Sequence, residues 1–192
     1  MPTADLGKSA IRAGLLRPFN RLAPSESGAT AVEFGLVAAP FLALLVALLQ
    51  TAMVFFAGRV LDEITDQASR HIMTGQAQSA NMTQAGFKNY LCTGTNTSGL
   101  VNALFTCSNF MINVQNYSSF SAANTSTPTL TFNNGNVSNT WSWSPGNPGD
   151  IVVVQVMYQL PIVLGPLGFN LSNLTNGKRL LVSTAVFKNE PY

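Results

Sequence analysis

Residues Phe34 to Gly58 read FGLVAAPFLALLVALLQTAMVFFAG: 25 consecutive positions without Asp, Glu, Lys, Arg or His, of which 20 are hydrophobic. Wound as a helix at 1.5 Å per residue, the stretch reaches roughly 37 Å, more than the ~30 Å hydrocarbon core of a bilayer, so it spans with some tilt. A buried helix of a water-soluble domain is rarely this long and this apolar. Pro40 removes one backbone donor and predicts a bend near Leu36, while Gly35, Ala38, Ala39, Ala43 and Ala47 offer small surfaces for close helix packing. Both features are ordinary in membrane helices and by themselves say only that packing is possible. The 192 residues then leave room for the span and one modest domain.

The flanks set the orientation. Residues 1–28 carry Lys8, Arg12, Arg17 and Arg21 against Asp5 and Glu26, whereas Arg59 alone lies just beyond the span. The positive-inside rule therefore puts the N-terminus in the cytoplasm and residues 59–192 outside it. A cleaved secretory signal is the competing reading, but its apolar core is only ~7 to 15 residues long and closes on a small-residue site. Here Phe55-Phe56 precedes Ala57-Gly58.

Charged residues make up only 9% of the chain, against about 25% in an average soluble domain. The net charge of +2 leaves no polybasic surface for nucleic acid. One histidine, His71, and two cysteines exclude most multi-ligand zinc sites.

At the junction the chain runs Gly28-Ala29-Thr30-Ala31-Val32-Glu33-Phe34. An acid at the mouth of a membrane helix costs a few kcal/mol if immersed, which points to a specific partner. The plainer reading is a carboxylate that favours the positive end of the helix dipole and reaches the headgroups. The Gly-x4-Glu-Phe arrangement after a basic leader resembles the prepilin-peptidase site of type IV pilins, and in particular the TadE-like minor pilins, or pseudopilins, of tight-adherence (Flp/Tad) pilus systems. The resemblance implies cleavage after Gly28 on the cytoplasmic side, Ala29 as the new N-terminus, and pairing of its amine with Glu33 of a neighbouring subunit. The subgroup pattern has Tyr after the acid where this chain has Phe34, a residue also typical of TadE-like sequences.

Beyond Gly58 the helical period continues, with Val60, Ile64, Ala68 and Ile72 four apart and Asp62, Glu63, Asp66 and Arg70 off that stripe. One long helix stopping at Thr74-Gly75 is expected, with Asp66 and Arg70 as an i,i+4 pair. A second, short helix is expected over Met82–Leu91, capped by Asn81. Cys92 and Cys107 both fall on the oxidising side, where a disulfide is their natural pairing, worth about 3 kcal/mol in the chain-entropy model. The alternative, a Cys nucleophile, has only His71 as imidazole partner.

Asn89–Gly149 contains no charged residue and is rich in Asn, Ser, Thr and Gly, with turn signals at Asn133-Asn134-Gly135 and Ser144-Pro145-Gly146. Its alternating Trp141 and Trp143 suit either an exposed binding face or burial against a sheet. Ile151–Gln159 predicts a strand with Val152, Val154, Val156 and Tyr158 on one face, and Arg179–Lys188 alternates similarly. Ile112–Asn116 and Thr127–Phe132 are weaker candidate strands. The resulting fold class is α+β: a long N-terminal transmembrane helix continuing into a small exported domain with an antiparallel β-sheet, pilin-like. Residues 149–192 also look like the exported region of TadE-like proteins.

The expected organisation is a basic cytoplasmic leader at 1–28, a membrane-spanning and extended helix at 29–75, and an exported domain at 76–192 with a loop-rich insert at 118–149. The candidate processing and assembly residues are Gly28, Ala29, Glu33 and Phe34, and the candidate disulfide is Cys92 with Cys107. No catalytic residue, metal or cofactor is expected, because Asp62, Glu63 and Asp66 read as a solvated helix face and no second histidine supports a hydrolase. The partners implied by the resemblance are a prepilin peptidase, other pilin or pseudopilin subunits and the pilus-assembly machinery; the span implies membrane lipid, and no nucleic acid is expected. The location is the bacterial inner membrane, single-pass, with the C-terminal domain periplasmic. A second reading is an unprocessed single-pass receptor or adhesin.

Overall fold

The computed structural model describes residues 26–162 and 168–192, the side chains from residue 28 onward; the basic leader read at 1–28 lies outside them up to residue 25. Helix α1, Glu26–Met73, is continuous, passing through Pro40 without a break. Pro40 lacks the donor that would close its own turn, and the helix nevertheless continues on both sides of it. The helix stops where expected. Gly75 turns left-handed at φ 77°, and its N–H donates to the Ile72 carbonyl at 3.0 Å. The described residues fall into two units that meet in sequence at Leu44 and Leu45.

In the second unit, Val54, Ala57, Val60, Leu61, Ile64, Ala68 and Ile72 form the buried stripe of α1. It shares one core with Phe87 and Leu91 of α3 (Gln84–Thr93), Val101 of α4 (Ser98–Leu104) and the inner face of the sheet. Between α1 and α3 lies the single turn α2, Gln76–Ser79. The cap of α3 is Thr83, whose side chain accepts from the Gly86 N–H at 3.1 Å. Asn81, expected in that role, instead takes a positive φ of 48° in the turn between α2 and α3, a conformation that Asn tolerates better than most residues.

The main sheet is antiparallel in the order β1 (Met111–Tyr117), β4 (Ile151–Pro161), β5 (Lys178–Lys188). Ile112 lies opposite Val156, Val114 opposite Val154, and Val154 opposite Ala185. As the alternation predicts, Val152, Val154, Val156 and Tyr158 enter the core shared with α1. The other face of β4 is buried as well: Val153, Gln155 and Met157 are all at most 2% exposed. Gln155 accepts from Asn113 Nδ2 at 3.1 Å and donates to the Ser126 carbonyl at 3.0 Å, so the insert lies over this second face. A central strand covered on both sides loses the polar alternation that a half-solvated strand shows.

The strand expected at Thr127–Phe132 is not formed. Asn139 takes its place as partner, accepting from the Thr131 N–H at 2.7 Å and donating to the Thr129 carbonyl at 2.9 Å, so a side chain satisfies the backbone that a neighbouring strand would have paired. What remains is a two-residue pairing of β2, Phe132–Asn133, with β3, Asn136–Val137, across Asn134-Gly135 at φ 49° and 78°. Two positive φ values in a two-residue loop are what a hairpin of this kind requires.

Trp143 is inward. Its Nε1 donates to the Met82 carbonyl at 2.8 Å and its ring lies 5.1 Å from that of Phe87. Residues 142–144 extend the sheet beyond β1: the Val114 N–H donates to the Ser142 carbonyl and the Ser144 N–H to the Val114 carbonyl, both at 2.9 Å.

Cys92, at the end of α3, and Cys107 are joined as a disulfide with Cα atoms 6.1 Å apart. The pair Asp66–Arg70 does not form. Among the described residues the ion pair is Arg59–Asp62 at 3.7 Å, and Glu63 accepts from Gln67 Nε2 at 2.6 Å. Exposed ion pairs of this kind contribute at most about 1 kcal/mol, too little to fix which neighbour a long side chain selects.

Residues 189–192 close the domain against the end of α1. The Glu190 N–H donates to the Met73 carbonyl at 2.9 Å, Asn189 Nδ2 donates to the Pro145 carbonyl at 2.9 Å, and the Tyr192 ring packs on Gly75 so closely that a Cβ there would collide with it. Beside them, Asp150 accepts from the Asn147 backbone N–H at 2.9 Å and from Asn116 Nδ2 at 3.1 Å. Those two hydrogen bonds, the backbone one foremost, hold its carboxyl below the ordinary aspartate value.

Two outcomes are expected. Ile64→Ala, in the middle of the buried stripe, lowers unfolding free energy in denaturant titrations by about 2–5 kcal/mol. Because the Asp150 carboxyl titrates lower in the folded than in the unfolded chain, its stabilisation is present above the unfolded value, about 3.9, and fades as pH falls through the lower folded value. Asp150→Asn therefore melts below the parent chain at neutral pH, and the gap narrows when melting is measured at progressively acid pH.

Candidate functional site

A helix that is apolar on every side is either a core element or a membrane span. The first part of α1 is not in the core. Fourteen large hydrophobic side chains between Val32 and Phe56 are exposed, with Val32 at 70%, Phe34 at 75% and Leu49 at 67%, and the buried stripe begins only at Val54. The most apolar 18-residue window of α1 has a mean hydropathy of 2.4 and none of it is buried within the protein, so by length and composition the helix is able to cross a membrane. Fully covering a large apolar side chain is worth up to about 1.5–3 kcal/mol, so leaving fourteen of them largely in water is strongly unfavourable. Lipid or other apolar helices are the media that supply such cover.

The junction residues sit in the first turns of α1. Gly28, Ala29, Glu33 and Phe34 are all helical and exposed. Ala29 and Glu33 stand one turn apart on the same helix face, about 6 Å along the axis, whereas Phe34 is turned by about 100° from Glu33. Among the described residues Glu33 forms no ion pair. The carboxylate thus stands at the head of the apolar rod, beside the position where cleavage after Gly28 would leave a terminal amine.

The residues of the alternative Cys-nucleophile reading are engaged elsewhere. Cys92 and Cys107 are consumed by the disulfide, and the His71 ring stacks on Tyr90 with centroids 4.4 Å apart, so no Cys–His pair exists. Among the described residues no three of His, Cys, Asp and Glu are grouped to hold a metal ion.

Sequence reasoning missed one feature. Lys88, Phe110 and Trp141 line two adjoining cavities, of about 190 and 350 Å³. They come from a helix, a turn and the insert, so no local pattern joins them; the only signal was the unassigned Trp141.

A family model described as TadE-like protein matches residues 28–70. That segment holds the junction, the apolar rod and most of the buried stripe of α1, so the likeness read from the sequence is borne out there. No curated protein and no solved structure matches the chain.

If the rod lies in lipid, the full-length chain stays with the membrane pellet after high-salt and alkaline carbonate washes and is released by non-ionic detergent. Release by carbonate alone would show that the exposed helix is covered by protein rather than by lipid.

Proposed function

We propose that this chain, TadE-like over residues 28–70, is a minor pilin or pseudopilin that takes part in assembling a tight-adherence pilus. The N-terminus lies in the cytoplasm, α1 crosses the inner membrane once, and the domain beyond it lies in the periplasm. A prepilin peptidase removes residues 1–28, and Ala29 becomes the N-terminus. The observation that carries the reading is the exposed apolar rod headed by Glu33, which is suited to packing against copies or relatives of itself.

The mechanism follows from charge and register. An α-amine with an ordinary pKa near 7.7–8.0 is mostly cationic at neutral pH. In a parallel neighbour, a shift of about one helical turn brings that amine to Glu33. Removing two charges from water offsets much of their attraction, so the pair contributes little net stability; a mismatched register, however, leaves one charge uncompensated at a cost of about 3–5 kcal/mol. Small residues Gly35, Ala38, Ala39 and Ala43 then allow the helix backbones to approach. The pairing selects the register, and the apolar surface supplies the contact. No chemical step is asked of the protein.

N-terminal sequencing of the protein from cells with and without the peptidase is the direct test: the expected sequence begins at Ala29 in the first case and retains residues 1–28 in the second. Retention in both supports an unprocessed receptor or adhesin instead. With processing intact, Glu33→Ala is expected to insert normally yet to be lost from the co-purifying pilus-assembly fraction; normal recovery of that variant would exclude the register role.

A further inference from the structure

The larger of the two cavities, about 350 Å³, lies between α3, the turn at Phe110 and the β2–β3 hairpin, at the end of the sheet where β4 finishes and β5 begins. Its volume is that of a small-ligand site. Its lining joins two cations, Lys88 and Lys178, with Trp141 and the amides of Asn109, Asn136 and Gln159, and includes no carboxylate. Neither lysine has an ion-pair partner among the described residues. Lys88 Nζ donates to the Ser108 carbonyl at 3.3 Å, a neutral contact that places the charge without cancelling it.

The sheet keeps the two acids that flank β4 and β5 away from Lys178. Asp150 precedes β4 and Glu190 follows β5, whereas Gln159 and Lys178 lie at the opposite end of those strands. Strands of this length separate the two ends by about 30 Å, several Debye lengths at physiological salt. The cavity lining thus carries two cations and no carboxylate, and the acids that flank its two strands lie at the far end of the sheet.

Trp141 is held in place by its backbone. Gln84 Nε2 donates to the Ile112 carbonyl at 2.7 Å and to the Trp141 carbonyl at 3.4 Å, tying the tryptophan to both α3 and β1. Its half-buried indole lines both cavities, and its N–H donates no hydrogen bond among the described residues. The other tryptophan, Trp143, is committed to the core.

We propose that this cavity binds an acidic saccharide, a short run of uronic-acid units. Lys88 and Lys178 meet its carboxylates as point charges, the indole of Trp141 offers a flat apolar face to a sugar ring, and the Asn and Gln amides donate to and accept from its hydroxyl groups. Single-stranded nucleic acid fits less well, since it calls for a continuous basic track with successive aromatic platforms, and residues 89–149 contribute no cation. The inference stands on the geometry of the cavity and is independent of any role in a pilus.

The test is a tryptophan-fluorescence titration of the full-length protein in a non-ionic detergent with trigalacturonate, using maltotriose, inorganic phosphate and an oligothymidylate as comparisons. Trigalacturonate should give a saturable change, weakened by added salt and at least about tenfold tighter than with the three comparison ligands. The response should survive Trp143→Phe and vanish with Trp141→Phe. Lys88→Met and Lys178→Met should each weaken binding by about threefold, and the double variant by about tenfold, with melting temperature unchanged. No saturable response, equal binding of maltotriose, of phosphate or of the oligothymidylate, a response that follows Trp143, or full affinity in the folded double-lysine variant would each overturn the proposal.

Discussion

Water is the solvent that the first part of α1 has to avoid, and this requirement sets what the rest of the chain can be. From Val32 to Met53 the helix presents large apolar side chains around its circumference, and from Val54 onward the same helix buries a single stripe in a protein core. The change occurs without a break in the hydrogen-bond ladder. One element therefore carries two hydrophobic surfaces of different kinds: one needs cover from outside the described residues, the other receives it from α3, α4 and the sheet. The ionisable group at the head of the rod, Glu33, acquires its interest from that setting, because a carboxylate beside so much apolar surface has few partners to choose from.

The second unit faces a different problem, that of holding a fold together with very little charge. Neutral amides do much of the work that ion pairs do elsewhere. Gln155 bridges β1 and the insert, Asn139 fastens the loop before the hairpin, and Asn189 fixes residues 145–147 to the end of β5. Hydrogen bonds of this sort each contribute about 1 kcal/mol net, and the buried amides, Gln155 and Asn189, cost more when left unpaired, so they specify geometry more than they add stability. Asp150 is the exception, an acid whose ionised form is favoured by two donors.

Much of this was legible locally. The Thr74-Gly75 stop, the core face of Ile151–Gln159 and the turn at Asn134-Gly135 each follow from residues within a few positions of one another, and each is present. Two departures have separate causes. Thr127–Phe132 has strand-forming residues, yet its backbone is claimed by Asn139; Asn81 is a good cap, yet the chain uses its tolerance for positive φ. In the first case a side chain eight to ten residues away satisfies the backbone, and in the second the local turn between α2 and α3 claims Asn81 while Thr83 caps the helix. Of the junction residues, the helical placement of Ala29 and Glu33 on one face was readable from their spacing, and the structure adds that both are exposed.

The sequence alone determined that 25 uncharged residues make a rod for an apolar medium, that a lone acid heads it, and that β-branched runs supply a sheet, because these depend on composition and on the 3.6 and 2.0 residue periods. Only the tertiary structure decided where the stripe of α1 begins to be buried, that β4 is covered on both faces, that Trp143 is an anchor while Trp141 lines a cavity, and that Lys88 and Lys178 share that cavity. Those facts depend on residues tens of positions apart meeting in space, and no local period encodes which distant partner arrives.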